Sequence, residues 1–203
     1  MSNAVETLMN EHRLIEGVLS SLETFVSEIE AGKEGSRSTI RAYASFFSNF
    51  ADKCHHGKEE DRLFTRMIEH GFPKEYGPIA VMLAEHVEGR EHVGALGKIG
   101  DGDGPLSPDE RRLTAAHARA YIPLLRAHIQ KEDGVLYPMA LKALPAAVLE
   151  KLEEEFESFE REVMGPGAHE KFHALAGDLI AAYPPDAERP AGGTHCAGCA
   201  GQV

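Results

Sequence analysis

The sequence predicts an all-α protein, an up-down four-helix bundle followed by two additional C-terminal helices and a flexible tail. Apolar residues recur at the three- and four-residue spacing of amphipathic helices along most of the 203 residues. No stretch shows the strict alternation of a half-buried strand. A histidine and glutamate pattern also occurs twice, as duplication of a helix pair would produce. We predict a bundle over residues 1–143, a helical extension over 144–183 and the tail over 184–203.

The four bundle helices are assigned from amphipathic stripes and from the residues that interrupt them. They are predicted to cover about residues 4–31, 37–69, 76–98 and 108–143. Gly32 ends the first stripe, and Ser107 followed by Pro108 and Glu110 is typical of a helix start with a capping box. Two shorter amphipathic segments run to about residues 164 and 183. The Pro-, Gly- and Ala-rich composition from Pro184 onward predicts the flexible tail.

Histidine and glutamate recur in two matched patterns. His12 and His86 each follow a glutamate and lie 74 positions apart, and His56 and His128 each open a His-x-x-x-Glu and lie 72 positions apart. Residues i and i+4 share one face of an α-helix, so each His-x-x-x-Glu aims an imidazole and a carboxylate at one point. The four histidines stand where core stripes would otherwise carry apolar residues. The residues predicted to converge as a metal site are His12, His56, Glu60, His86, His128 and Glu132.

A polar core without metal is the alternative. Neutral imidazoles can donate hydrogen bonds to two buried carboxylates, which otherwise cost several kcal/mol to bury. A single histidine in a helix stripe is usually a satisfied core residue. Six residues paired by motif and repeated at nearly equal offsets favour the metal site.

At these positions the chain resembles the hemerythrin-like, or HHE cation-binding, family. The resemblance spans about residues 4–143 and rests on Glu11-His12, His56 to Glu60 with Leu63-Phe64, Glu85-His86, and His128 to Glu132 with Leu136-Tyr137-Pro138. It implies a four-helix bundle that encloses two non-haem irons bridged by Glu60 and Glu132. It also implies that His12 and His56 bind one iron, and that His86 and His128 bind the other.

The donor types also favour iron. Imidazole and carboxylate ligands suit iron, manganese and zinc, and two histidines with a carboxylate and open positions indicate non-haem ferrous iron. Ferritin-like di-iron proteins use a different pattern, Glu-x-x-His with additional glutamates. Two non-haem iron ions are therefore the expected cofactor, with zinc and manganese as alternatives.

Arg90 departs from the family pattern. Oxygen-carrying members place another histidine one turn after the third-helix histidine, where this chain has Arg90. We therefore expect less reversible oxygen carriage, with Arg90 paired to a carboxylate or stabilising a bound anion such as peroxide. Glu59 is predicted at the surface, with a role as an additional ligand as the alternative. His55 and His92 are predicted to point roughly 100–120° away from the ligand side and not to bind metal.

Composition excludes several classes of function. The net charge of −12 argues against nucleic-acid binding, and no apolar stretch approaches the roughly 18 residues of a membrane helix. Three cysteines without a signal peptide favour a cytoplasmic location. His169 to His173 matches a zinc-protease pattern but lacks a third ligand at a familiar spacing. Cys196 and Cys199 form a single Cys-x-x-Cys whose role the sequence leaves undecided.

The expected function is that of a di-iron protein that binds or reacts with a small ligand such as dioxygen, nitric oxide or peroxide. Enzymatic turnover of peroxide or nitric oxide is one alternative. An iron or redox sensor, or a protein that repairs damaged iron centres, is another. All of these use the same metal site, and the sequence leaves open whether the protein has a protein partner.

Overall fold

The computed structural model describes residues 4–185, and all regular secondary structure within that range is helical, which confirms the all-α prediction. The α-helices are α1 (Ala4–Glu30), α2 (Arg37–Phe46), α3 (Phe64–Glu69), α4 (Gly77–Gly100), α5 (Pro108–Lys131), α6 (Tyr137–Ala143), α7 (Ala146–Phe159) and α8 (Ala168–Ala182). Four π-helical segments lie at Phe47–His56, Glu59–Leu63, Glu132–Leu136 and Glu160–Met164.

The π-helical segments continue the α-helices on either side of them. Gly57 and Lys58, which separate the first two segments, keep right-handed helical dihedrals, so the chain is helical from Arg37 to Glu69. The fourth predicted helix is likewise a single rod that ends at Ala143. A π-helix closes i→i+5 hydrogen bonds and therefore has a wider turn than an α-helix. Both predicted His-x-x-x-Glu motifs lie in or beside such turns.

Local chemistry explains where the helices begin and end. The Ser107 hydroxyl accepts a hydrogen bond from the Glu110 backbone N–H (3.2 Å), and the Glu110 carboxylate accepts one from the Ser107 N–H (2.8 Å). This is the predicted capping box. Gly32 and Gly71 follow the ends of α1 and α3 with φ of 90° and 95°, which glycine adopts without a steric penalty.

The buried apolar side chains form two cores. α4 packs on α5 and α2, and α1 packs on α5 and α8. The larger core gathers residues from the middle of α1, from α2 and from α5, while the smaller one contains the start of α1, α3 and α6. Along each long helix, buried histidines and glutamates lie between the residues of the two cores. A polar layer therefore crosses the apolar interior.

Residues beyond 143 take part in both cores. Leu152 and Phe156 from α7 belong to the smaller core, and Phe172 and Leu179 from α8 belong to the larger one. The predicted boundary at residue 143 thus runs through shared apolar packing. Most of the predicted tail, including Cys196 and Cys199, lies outside the described residues. None of the helices in the described range is long and apolar enough to cross a membrane.

Candidate metal centre

The polar layer contains two overlapping groups of metal-ligating side chains. Cluster A is formed by His12, His55, Glu59 and Glu132, and cluster B by His56, Glu59, His86 and His128. Within each cluster, one donor atom from every residue lies within 4.8 Å of the others, and every member is buried. Glu59 belongs to both clusters. Glu132 also approaches cluster B, with its Oε1 3.1 Å from His128 Nε2.

Five of the six predicted site residues lie in these clusters and one does not. The exception is Glu60, which is 25% exposed and accepts hydrogen bonds from His86 Nδ1 (2.7 Å) and from Arg90 (2.6 Å). Glu59, predicted at the surface, is instead fully buried and belongs to both clusters, which is the place predicted for Glu60. Glu60 is a hydrogen-bond partner of His86, which belongs to cluster B.

The predicted assignment of histidines also changes. His12 was paired with His56, but the structure groups His12 with His55 and places His56 with His86. His55 was expected to point away from the site. These predictions assumed the 3.6-residue turn of an α-helix, whereas the wider π turns at Phe47–His56 turn two consecutive histidines into the interior.

The sequence contains a signal that would have found this register. At an offset of 73 rather than 72, five positions of the two motifs match at once: His55, Lys58, Glu59, Leu63 and Phe64 align with His128, Lys131, Glu132, Leu136 and Tyr137. Position 60 then matches an aspartate, Asp133. Asp133 and Glu60 each accept a hydrogen bond from Nδ1 of a histidine, and this shared role supports the alignment.

Outer carboxylates hold one histidine of each cluster in the same way. His12 donates a hydrogen bond from Nδ1 to Asp133 (2.7 Å), and His86 donates one from Nδ1 to Glu60 (2.7 Å). In both cases the carboxylate comes from the other repeat. The inner nitrogens correspond too, because His12 Nε2 lies 3.3 Å from Glu132 and His86 Nε2 lies 3.5 Å from Glu59. The two clusters are thus related by an approximate two-fold symmetry.

The second histidine of each cluster repeats this arrangement. His55 donates from Nδ1 to Glu11, and His128 donates from Nδ1 to Glu85, both over 2.9 Å. His56 lies 3.4 Å from a carboxylate oxygen of Asp52. A ring nitrogen that donates to a carboxylate carries the proton, so Nε2 of the same neutral ring presents a lone pair. Carboxylate-held histidines of this kind are typical of metal ligands.

Several inward-facing atoms lack hydrogen bonds, although His86 Nε2 and His128 Nε2 share one over 3.0 Å. Buried atoms without a hydrogen-bond partner among the described residues include His55 Nε2, one oxygen of Glu59 and both oxygens of Glu132. The Glu132 oxygens are within ion-pair distance of histidines but outside hydrogen-bonding geometry. These buried nitrogen and oxygen atoms without hydrogen bonds surround one space, and a cation bound there would satisfy their lone pairs.

The electrostatics of the two central carboxylates point the same way. Burial and the neighbouring Glu132 raise the pKa of Glu59 well above its usual value. Burial also acts to raise the pKa of Glu132, but His128 and His12 outweigh it and hold that pKa well below the usual value. Protein groups alone therefore favour only one charged carboxylate. A cation between them would allow both to ionise.

The surroundings of the consecutive histidines His55 and His56 favour the neutral form of both imidazoles. Burial and the neighbouring His86 and His128 hold the pKa of His56 well below its usual value. Burial and His12 lower the pKa of His55 to about 4 against the opposing effect of Glu11. Neutral imidazole is the form that binds a metal ion.

Lys58 supports cluster A from outside. Its ammonium group is fully buried and bonds both Glu11 and Glu160, the latter over 2.6 Å. Burial acts to raise the pKa of Glu11, but Lys58 and His55 outweigh it and lower that pKa to about 2. Glu11 and Glu160 also lie near His169, yet Lys58 already compensates their charge. His169, from the protease-like motif, belongs to neither cluster.

Arg90 forms ion pairs with carboxylates, which is one of the two roles predicted for it, the other being to stabilise a bound anion. Its guanidinium group donates to Asp52 (2.8 Å) and Glu60 (2.6 Å). It also lines a cavity of about 370 Å³ whose wall includes His56, His86 and His128. The cavity reaches cluster B and has no wall residue from the histidines of cluster A.

Comparison with known proteins gives distant relatives. Two proteins described only as uncharacterized, one from Mycobacterium tuberculosis (strain H37Rv) and one from Mycobacterium bovis, are each 22% identical over 162 residues. The match covers 80% of this chain and spans 63% of the length of each relative. No solved structure matches significantly.

The family comparison covers most of the chain and all of both clusters. The family model described as the hemerythrin HHE cation binding domain matches residues 3–140. That range begins before His12 and ends after Glu132, so it includes every side chain of clusters A and B. The buried histidine and glutamate clusters agree with the cation binding that the family description names. This chain belongs to the hemerythrin HHE cation-binding family.

Proposed function

We propose that the protein is a non-haem di-iron protein that binds or reacts with a small ligand such as dioxygen, nitric oxide or peroxide. The observation that carries the proposal is the pair of overlapping clusters that share Glu59. Four long helical rods in an up-down bundle would hold them.

The two clusters would hold one ion each. His12 and His55 would bind the ion of cluster A, while His56, His86 and His128 would bind that of cluster B. Glu59 and Glu132 lie between the clusters and would contact both ions. Iron, when bound, supplies the reversible one-electron chemistry and the open ligand positions that diatomic and peroxide ligands require.

The expectation drawn from Arg90 rested on only two imidazoles for the second ion. Cluster B contains three, because His56 joins His86 and His128. His56 therefore supplies an imidazole that the family pattern would place at position 90. We infer that cluster B is where a small ligand binds, since its histidines line the cavity.

Residues of the chain prepare the site for this role. Outer carboxylates hold the imidazoles in one orientation and tautomer, which lowers the reorganisation needed when an ion binds. Arg90 places a positive charge at the cavity wall, although Asp52 and Glu60 already pair with it. Its contribution to binding an anion is therefore expected to be small.

Metal analysis tests the proposal. Protein produced with ample iron should contain about two iron ions per chain, one for each cluster, and should show near-ultraviolet absorption that changes when azide or nitric oxide is added. Parallel preparations with zinc or manganese establish the preference of the site. A protein that holds a single ion, or only zinc when iron is abundant, would overturn the di-iron proposal.

A further inference from the structure

The cavity beside cluster B is larger than a diatomic ligand requires. Its volume of about 370 Å³ lies within the roughly 300–1,000 Å³ of small-molecule pockets. A water molecule, which is similar in size to a diatomic gas, takes up only about 30 Å³ in the liquid. The wall includes α4 from His86 to Gly97, a distance of about 16 Å at 1.5 Å per residue.

The side of α4 that lines the cavity carries little side-chain bulk. Gly94 and Gly97 both line the cavity. A Cβ at Gly94 would meet nothing within 4 Å, and one at Gly97 would lie 3.9 Å from Ala44 Cβ. Glycine in a helix interior costs about 1 kcal/mol relative to alanine. Neither glycine is required by close packing, and a side chain added at Gly97 would extend toward Ala44, another residue of the wall.

The wall is largely apolar, and its charges are compensated. Arg41 pairs with Asp101 (2.9 Å), and Arg90 pairs with Asp52. Glu85, a further charged wall residue, bonds Lys131 and His128. Apolar contacts come from Phe47, Val93, Tyr121, Leu124 and Leu125. A wall of this kind suits an uncharged apolar molecule better than an ion.

We propose that this cavity binds an uncharged molecule with an aliphatic body and one terminal oxygen donor. The oxygen lies at His56, His86 and His128, and the body lies along α4 toward Gly94. This inference deepens the proposed function, since a metal ion at cluster B would receive the oxygen donor. The binding of the aliphatic body depends on the cavity alone and is measurable without metal.

A chain-length series tests the cavity. Primary alcohols from ethanol to octanol are titrated into the metal-free and the metal-loaded full chain and followed by calorimetry or nuclear magnetic resonance. Each methylene group buried should tighten binding about fourfold, from roughly 0.8 kcal/mol per group, until the body reaches the mouth. The matched variants are Gly97→Leu, whose added side chain would extend from α4 toward Ala44 in the cavity wall, and Gly177→Leu, a helical position in α8 with open space around its Cβ. Gly97→Leu should abolish the length dependence, and Gly177→Leu should preserve it.

The outcomes separate this inference from the proposed function. Affinity that does not rise with chain length, or that rises equally in Gly97→Leu, overturns the cavity proposal. Normal iron content with azide binding in the same preparation would leave the di-iron function standing. Length-dependent binding by a protein that takes up no iron when iron is abundant would support the cavity and overturn the function.

Discussion

Clusters A and B have the same inner donors and different surroundings. Each has two histidines oriented through Nδ1 by carboxylates, and both approach the same two glutamates. Cluster B has a third imidazole, His56, where the matching position of the second repeat is Ile129. The cavity also reaches only cluster B. Duplication therefore accounts for the presence of two clusters, and the differences between the repeats account for a cavity that reaches only one of them.

The outer layers differ in burial. Lys58, beside cluster A, is fully buried under Glu160 from the residues that follow α7, while its counterpart Lys131 is 40% exposed. Tyr137 donates a hydrogen bond to Glu59 (2.7 Å), while its counterpart Phe64 has no hydroxyl group. Cluster A is thus more deeply buried at its edge and has more hydrogen-bonding partners than cluster B. At each position where the halves differ, a substitution can make one half resemble the other.

The largest effect is expected at the carboxylate that the halves share. Glu59→Gln removes a negative charge from both clusters, so both ions should be lost. Glu60→Gln removes only a partner of His86, so the ions should remain at saturating metal with affinity weakened about 10- to 100-fold. Metal per chain by plasma mass spectrometry measures both. An empty Glu60→Gln beside a loaded Glu59→Gln would restore Glu60 as the bridging residue.

The consecutive histidines should differ in importance. His55→Ala leaves cluster A with one imidazole and should lower the metal content by about one ion per chain. His56→Ile copies Ile129 and leaves cluster B with the two-histidine set of cluster A, so both ions should remain. Native mass spectrometry resolves the two loaded forms. The opposite result, with loss only in His56→Ile, would favour the original pairing of His12 with His56.

The two lysines should differ in their effect on folding. Lys58→Met leaves Glu11 buried without its ammonium partner and should lower the free energy of unfolding by about 3–5 kcal/mol. Lys131→Met, at a partly exposed position, should cost about 1 kcal/mol or less. Urea unfolding at equal metal loading measures the difference. Equal costs would mean that burial of Lys58 has no energetic consequence.

The same pair predicts a pH dependence. Because the pKa of Glu11 falls from 4.5 to about 2 on folding, its stabilising effect is complete above pH 4.5 and is lost as the pH falls toward 2. Lys58→Met should raise that pKa in the folded chain and flatten the acid dependence of stability in this range. A titration of unfolding free energy from pH 6 to pH 2, in metal-free protein, compares the variant with the unmodified chain.

The smallest effect is expected at Tyr137. Tyr137→Phe makes this position match Phe64 and removes a hydrogen bond to Glu59, so metal affinity should fall roughly tenfold, or about 1.4 kcal/mol. Tyr43→Phe is the control, because its hydroxyl bonds Ser21 away from both clusters. Chelator competition measures the affinities. An unchanged affinity in Tyr137→Phe would show that this hydroxyl does not help to place Glu59.

The comparison also shows which features the sequence was able to predict. The repeat singled out five residues that lie in the clusters, because a buried polar residue on an amphipathic stripe is visible without coordinates: His12, His56, His86, His128 and Glu132. It placed Glu60 in the site instead of Glu59, because π turns within the second rod depend on packing that α-helical periodicity does not represent. The offset of 73 was present in the sequence and would have indicated Glu59.

Other features depend on distances between helices. The cavity results from the spacing of α2, α4 and α5 around side chains such as Tyr121, and no local pattern encodes that spacing. The buried contact between Lys58 and Glu160 joins residues 102 positions apart. Helix lengths and caps were predictable because Gly32 and Ser107 act within a few residues.

The reciprocal outer contacts have an evolutionary consequence. His12 relies on Asp133 from the second repeat, and His86 relies on Glu60 from the first. A single ancestral repeat would lack half of these partners and would complete the site only as a symmetric dimer, in which each copy offers the other the same contact. Gene fusion of such a dimer frees one copy to change alone. The two repeats have His56 and Ile129 at corresponding positions. Identical subunits could not differ in this way.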